Sequence, residues 1–591
     1  MRTYWGLLGL LAMVVLAASL VLAQGGHDPA NQTASLMYDE ARTVYRGNLA
    51  RRDNGLPPLR WNRQLTYAAR WFSWDSTENR SSGFCAYQDT NGNGPADRAL
   101  AFGYLGSAGT ENILCRYAAP EEVIQGWMDN PVYRANLLNS NWREVGLGYY
   151  RRDSDGRGYV TQDFGSDPVY APVVIENEAP STTTPNVGLY IYDHIPRDGF
   201  AGLSAATEIM VSNDACFADT AWEPYAANKA WTLKSGEGWR SVYVKTRDVF
   251  GRTQRVNDSI YLGANVPTGE LGPEQLSTTQ SQVTLYNLNG NGLPQVQFSL
   301  GWLADDSSSE FRKIWGTGEQ ISDAAAWGGT AYRLYHGGAG SGAWVWDDEW
   351  SIKDVPMVAY FRLKTNDNTS DEEIALIRVK GGGTLYGPVS LKGTDFYGAN
   401  AYQEFALGFT YSTDISDDFY FQFECTAEAD LYVDAVSIFG AAQPISSPMT
   451  WSIPGGNYRG QAIWARYTDG SQFSEIVEAA TAQAALRVSP TTLTLLAVRD
   501  GSPPSAGTLH VVQDCSSFTW QASDNVPWLQ TQVSGDTVRV QADQTGLSSG
   551  VHTGTVTISA VGTAAVQPVS VQVRLTVLDE LFSAYLPLIK R

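Results

Sequence analysis

The spacing of apolar residues changes character part-way along the chain. Leu36, Tyr38, Ala41, Val44, Tyr45 and Leu49 recur at mixed spacings of three and four, the pattern of one helix face. Asn54-Gly55 and Pro57-Pro58 end that helix. A second helix is predicted from Asn62 to about Ser76, with Leu65, Ala68, Ala69 and Phe72 inward. A third starts at Pro120 and carries Val123, Ile124 and Trp127 inward. Proline needs no amide partner in a first turn, and Glu121 and Glu122 suit the positive end of the helix dipole. Residues 145–150 and 158–164 then read as a strand pair around the turn Asp153-Ser154-Asp155-Gly156. Residues 34–167 therefore read as one mixed α and β unit.

Beyond residue 167 helical periodicity almost vanishes. Residues 168–186, Pro-rich and then Ser181-Thr182-Thr183-Thr184-Pro185, read as a linker. Residues 187–264, 270–440, 445–482 and 485–578 carry short alternating runs separated by turn residues, the pattern of β-sandwiches. One weak repeat is present: Trp231 to Arg247 parallels Trp451 to Arg466. It predicts two related sandwich edges with the 270–440 domain between them.

Length and charge narrow the classes. At about 100–200 residues per domain, 591 residues give about three to five domains. A net charge of −21 argues against a nucleic-acid partner, which requires a basic surface, and against anionic lipid. With 43% hydrophobic and 17% charged residues the chain is not disordered as a whole. Residues 1–23 read as a secretory signal: Arg2, an apolar run from Trp5 to Leu22, and Val21-Leu22-Ala23 as the cleavage site. No later run approaches about 18 apolar residues, so no membrane span is expected after signal removal.

Export permits disulfides. Cys85 and Cys115 lie in one segment and are the one pairing proposed. Cys216, Cys425 and Cys515 fall one per presumed domain and read as small buried hydrophobes. The odd count leaves at least one thiol free or paired between chains.

Five segments of the first unit occur in a telling order. They are Asn54-Gly55-Leu56-Pro57-Pro58, Thr110-Glu111-Asn112-Ile113, Asn130-Pro131-Val132-Tyr133-Arg134, Val145-Gly146-Leu147-Gly148-Tyr149 and Thr161-Gln162-Asp163-Phe164-Gly165. Over residues 34–167 this resembles the CAP superfamily of SCP-like and PR-1-like secreted proteins. The resemblance implies an α-β-α sandwich with a central groove, where members commonly carry two histidines and acidic residues and some hold a divalent metal. The two histidine positions fall on Tyr87 and Tyr133, and the acidic position on Glu111. A phenol, with a pKa near ~10, is a poor metal donor beside imidazole. One carboxylate and two phenols do not make a zinc site. No histidine lies inside the segment; His27 precedes it and His194 follows. The expectation is a groove with no metal, no cofactor and no catalytic residue, closed or repurposed, with Tyr87 and Tyr133 hydrogen-bonding Glu111. Asp89-Thr90-Asn91-Gly92-Asn93-Gly94 mimics half a calcium loop, but Leu100 stands where the closing Glu is required, so a turn is expected.

Neither His-Glu-x-x-His, Gly-x-Ser-x-Gly nor a P-loop occurs. The acid pairs Asp305-Asp306, Asp347-Asp348, Glu372-Glu373 and Asp417-Asp418 read as solvated turns. In the 270–440 block, Trp344, Trp346 and Trp350 lie within seven residues, with 344 and 346 on one strand face. Residues 431–438 look like the last strand of jelly-roll sugar-binding modules, where exposed aromatics stack on sugars and Asp434 holds a structural calcium. Packing of these Trp into a core is the competing reading. Residues 187–264 resemble bacterial Ig-like repeats, 445–482 an Ig-like β segment, and 485–578 the BACON-type sandwich; residues 580–591 form a C-terminal tail. The whole reads as a multidomain protein, an α-β-α sandwich followed by Ig-like and jelly-roll β-sandwich modules. The expected protein is secreted or displayed on the cell surface. It is non-catalytic and binds extracellular polysaccharide or cell-surface partners. Two alternatives stand beside it: a secreted hydrolase, protease or glycosidase, using carboxylates, and a lipid- or sterol-binding groove.

Overall fold

The structure, a computed structural model, describes Pro29 and residues 34–80, 85–167, 171–194, 203–217, 220–264, 280–286, 288–290, 292–305, 311–337, 340–346, 350, 352–381, 383–412, 419–426, 428–446, 448–456, 458–481, 485–490, 492–515, 518–562 and 566–579. The secretory segment 1–23 and the tail 580–591 lie outside the described residues. No described helix is long and apolar enough to cross a membrane.

The first unit runs α1 (Ala34–Asp53), β1 (Arg60–Trp61), α2 (Arg63–Glu78), α3 (Pro95–Ala101), β2 (Ser107–Leu114), α4 (Pro120–Asp129), α5 (Pro131–Leu137), β3 (Glu144–Arg151) and β4 (Gly158–Ser166). Its sheet has the order β1-β3-β4-β2. Helices cover both faces. Val44 of α1 and Val123 and Trp127 of α4 pack with Leu147, Tyr149 and Phe164 on one face. Trp71 and Phe72 of α2 pack with Ile113 and Tyr159 on the other. Asn62 caps α2, accepting the Leu65 amide at 3.0 Å. The glycines of the Val-Gly-Leu-Gly run let α2 lie directly on β3. A Cβ on Gly146 would sit 2.1 Å from the Leu65 backbone, and one on Gly148 2.1 Å from the Arg70 amide.

Within the expected linker 168–186, the described residues 171–186 are built into the next sandwich. Val173–Ile175 is a buried strand that pairs with Asn186–Ile191 and fills a core with Val242, Val244 and Ile260. The apolar run Ala171-Pro172-Val173-Val174-Ile175 drives that burial. It opens a sandwich of three- and five-stranded sheets that ends at Thr253–Leu262. After the strand the chain reverses through Glu176, Asn177 and Glu178, all with positive φ (46°, 57° and 64°). The turn seats Glu178 against the first unit. The buried Arg60 guanidinium reaches Glu178 at 2.8 Å and Asp258 at 2.7 Å, and the Trp61 amide donates to Glu178 at 2.9 Å.

The expected boundary between 270–440 and 445–482 also shifts. Gln282–Leu285 pairs with Met449–Ser452, and Gln295–Ser299 with Trp464–Thr468. Residues 280–300 and 443–480 thus share one core, and residues 303–440 form a second sandwich inserted into it. Trp231 pairs with Val187 and Trp451 with Val283, so each copy of the repeat begins on an edge strand, while its second half lies on an interior strand, Gly238–Asp248 or Trp464–Thr468. The insertion has two sheets around Phe361, Phe409, Phe419, Phe421 and Phe423. Arg466 ties host to insertion. Its guanidinium lies 4.1 Å from the Tyr360 ring and 5.0 Å from those of Phe439 and Phe473, and it pairs with Glu404 at 2.7 Å. Asp305, expected in a solvated turn, is buried at a strand end. The last sandwich, residues 485–578, has two four-stranded sheets.

Cys85 and Cys115 form a disulfide, as expected. Cys216 and Cys515 are not isolated buried thiols: they form a second disulfide, which joins the sandwich after the first unit to the last one. Their loops meet because the Asp214 carboxylate accepts the Cys216 amide at 2.8 Å and the Cys515 amide at 2.8 Å. Cys425 is free and buried.

Candidate functional site

Glu111 and Asp163 face each other in register on β2 and β4, and both are buried. Arg98, on α3, donates to Glu111 Oε2 at 2.5 Å and to the carbonyls of Asn93 and Tyr87 at 2.9 and 3.2 Å. Its guanidinium lies 3.8 Å from the Phe72 ring centre. The guanidinium thus pairs with Glu111, and Asp163 lies beside the pair. Burial raises both, against the pull of Arg98: Asp163 to about 6, and Glu111, which also faces Asp163, well above its usual range. Glu111 Oε1 and both Asp163 oxygens receive no N–H or hydroxyl donor.

Tyr87 and Tyr133 do not bond Glu111. Their hydroxyls meet each other at 3.0 Å. Arg98 has taken the Glu111 oxygen. Burial, the Tyr87 hydrogen bond and Glu111 together push the Tyr133 hydroxyl up. Tyr87 is half exposed. The Cys85–Cys115 disulfide staples its loop to the end of β2. Asn112 donates to the Tyr133 carbonyl at 3.1 Å, and Asn136 to Asn112 Oδ1 at 3.0 Å, which holds α5 on β2. Asp89 accepts the Asn91 and Asn93 amides at 2.8 Å each, a turn as expected. This donor set does not fit a divalent metal. Glu111 already carries a cation, Arg98, and no imidazole is present. Sequence reasoning missed Arg98 and Asp163 beside Glu111, although Asp163 lies in a motif it read; the β2–β4 register that sets Asp163 against Glu111 is a long-range fact.

The inserted sandwich carries the second site. Trp350 belongs to the core, not to a sugar platform: it is 7% exposed, stacks on Phe419 at 5.3 Å and donates to the Ile352 carbonyl at 3.0 Å. In strand Ser341–Trp346 the neighbours Ala343 and Val345 point into the core, so Trp344 stands on the outer face, half-buried. Its ring lies 5.1 Å from that of Tyr420. The side chain of Trp346 lies outside the described residues; its backbone pairs with Tyr420. Two aromatics the sequence reading missed join this face. Tyr420 alternates with the buried Phe419 and Phe421. Trp315, 36% exposed, lies over Gly342, where a Cβ would meet its ring at 2.4 Å. Beside the rings, Gln422 donates to Glu424 at 2.6 Å and Arg378 pairs with Glu424. Alternation in Phe419-Tyr420-Phe421-Gln422-Phe423 was the available signal. Asp434, expected to hold calcium, is buried, accepts the Trp327 amide at 3.1 Å and pairs with Arg362 at 2.6 Å. These donors occupy the carboxylate and do not fit a calcium ion; burial pushes Asp434 up to about 6.

Residues 44–164 match the family described as the cysteine-rich secretory protein family, CAP. This segment is a CAP domain. The uncharacterized protein YkwD of Bacillus subtilis is 31% identical over 115 residues, 20% of this chain and 44% of that protein, so the match spans less than half of that relative. An extracellular SCP-domain protein of Bacillus anthracis is 26% identical over 21% of this chain and 39% of its own, with a TM-score of 0.19. An outer surface protein from Borrelia burgdorferi is 16% identical over 23% of this chain and 98% of its own, with a TM-score of 0.21. The CBM22-1-CBM22-2 tandem of Paenibacillus barcinonensis Xyn10C is 12% identical over 50% of this chain and 91% of its own, with a TM-score of 0.20. Within this CAP domain Arg98 bonds the buried Glu111.

Proposed function

We propose that this protein works outside the cell as a non-catalytic binding protein, holding polysaccharide on the outer face of its inserted sandwich. The observation that carries the reading is the group of outward aromatic rings, Trp315, Trp344 and Tyr420, set beside Gln422, Arg378 and Glu424. Aromatic faces stack on the C–H faces of sugars, and side-chain amides and charges bond their hydroxyls. The two disulfides among the described residues and the signal-like residues 1–23 support an oxidising, extracellular setting. The burial of Glu111 and Asp163 under Arg98 supports a structural CAP domain rather than a hydrolytic one. Depletion of the full chain from solution by insoluble xylan, β-glucan, mannan, pectin and peptidoglycan tests the reading. At least one polysaccharide should deplete it, and Trp344→Ala should weaken that binding by about tenfold or more. Depletion by none of them, or undiminished depletion of Trp344→Ala, overturns it.

A further inference from the structure

We propose that a cleft on the sandwich that hosts the insertion receives a basic side chain of an extended partner peptide, its stem against apolar walls and its charged head at Glu475. The proposal is independent of the glycan-binding reading: it concerns another sandwich and another kind of ligand.

The cleft has a volume of about 560 Å³ and opens beside the strand Val477–Glu478. That strand ends its sheet, pairing with Trp464–Thr468. Leu288, Leu293, Tyr467 and Ala479 line the cleft and belong to the core behind it. Two bonds hold the facing loop in place: the Tyr286 amide donates to the Ala480 carbonyl at 2.9 Å, and the Asn289 amide to the Tyr467 hydroxyl at 3.2 Å. The walls are therefore formed before a ligand arrives. Side chains alternate along residues 475–479. Ile476 packs against the cluster of Tyr360, Phe439 and Trp464, and Glu478 pairs with Lys245 at 2.6 Å. Glu475 and Val477 thus share the side of Ala479, which lines the cleft. Val477 is 44% exposed. Among the described residues no cation pairs with the exposed Glu475. The neighbouring Asn287, Asn291 and Ala482-Gln483-Ala484, outside the described residues, are uncharged. The net charge of −21 also favours a cation here. Lysine and arginine are built to match, with an apolar stem and a charged head. An edge strand adds backbone partners for an extended peptide. A neutral apolar ligand would leave Glu475 unused, and an acidic one would be repelled by it.

The test pairs two fluorescently labelled peptides, Ala-Val-Lys-Val-Ala and the same peptide with norleucine in place of lysine, which keeps the stem and drops the charge. Each is titrated with the full chain at pH 7 and read by fluorescence anisotropy. The lysine peptide should bind about tenfold more tightly than the norleucine peptide. That advantage should shrink between about 50 and about 500 mM salt. Glu475→Gln should abolish the advantage and leave norleucine binding unchanged, and Val477→Ser should weaken both peptides. Trp344→Ala should bind both like the natural chain, which keeps this proposal separate from the glycan reading. Binding of neither peptide, equal binding of the two, or an advantage that survives in Glu475→Gln overturns the proposal. Binding that appears only after removal of residues 580–591, which end in Ile589-Lys590-Arg591, assigns the cleft to the chain's own tail and overturns the partner.

Discussion

Arg98 bonds Glu111, the role expected of the Tyr87 and Tyr133 hydroxyls. A buried carboxyl pair requires a countercharge or a proton, and Arg98 supplies the countercharge at Glu111. Replacing Arg98 by Met keeps its bulk but removes the charge and the links to Asn93 and Tyr87. It should cost about 3–5 kcal/mol of stability, read by denaturant unfolding of the full chain. A loss under about 1 kcal/mol would show that the pair does not depend on Arg98. The residue identities at Tyr87, Glu111 and Tyr133 were legible in the sequence; the bond between the two phenols was not, because it depends on which neighbour claims Glu111 first. Trp350 makes the same point. Three Trp in seven residues marked the right strand, but alternation and the stacking on Phe419 separate the outward Trp344 from the buried Trp350.

At the scale of elements, the helices that show clear three-and-four periodicity were legible, and the short α3 and α5 were not. The buried strand Val173–Ile175 was missed because five apolar residues between prolines and a Ser/Thr run look like a linker. Its turn delivers Glu178 to Arg60 and Asp258, two buried carboxyls for one guanidinium. Burial, then Asp258, raises Glu178 to about 7, and burial raises Asp258 as well. In the folded state these groups hold protons more tightly than in the unfolded state. Their stabilisation is therefore complete below the ordinary carboxylate range and is lost as pH rises through about 7. Glu178→Gln mimics the protonated form. Its stability relative to the natural chain should rise between pH 5 and pH 8, measured by thermal unfolding across that range. A pH-independent difference would remove Glu178 from the titrating set.

At the scale of the molecule, sequence patterning found the sandwiches but not how the chain threads them. The pairing of residues 282–299 with 443–468 spans an entire inserted sandwich, and no local pattern encodes it. The Cys216–Cys515 strap is likewise long-range, with a sequence separation of 299. It should keep the last sandwich attached after a protease cuts the chain between residues 479 and 485. On a non-reducing gel the nicked natural chain should run as one species, and the Cys216→Ser chain as two. Release of the last sandwich from both would contradict the link.

The central claim, that the inserted sandwich holds glycan through its outward rings, is tested most directly by electrophoresis of the intact chain through native gels containing soluble polysaccharide. The natural chain should be retarded by at least one polysaccharide, Trp344→Ala should migrate freely, and Tyr87→Phe in the CAP groove should be retarded like the natural chain. Unretarded migration of the natural chain in every gel, or equal retardation of Trp344→Ala, would contradict it.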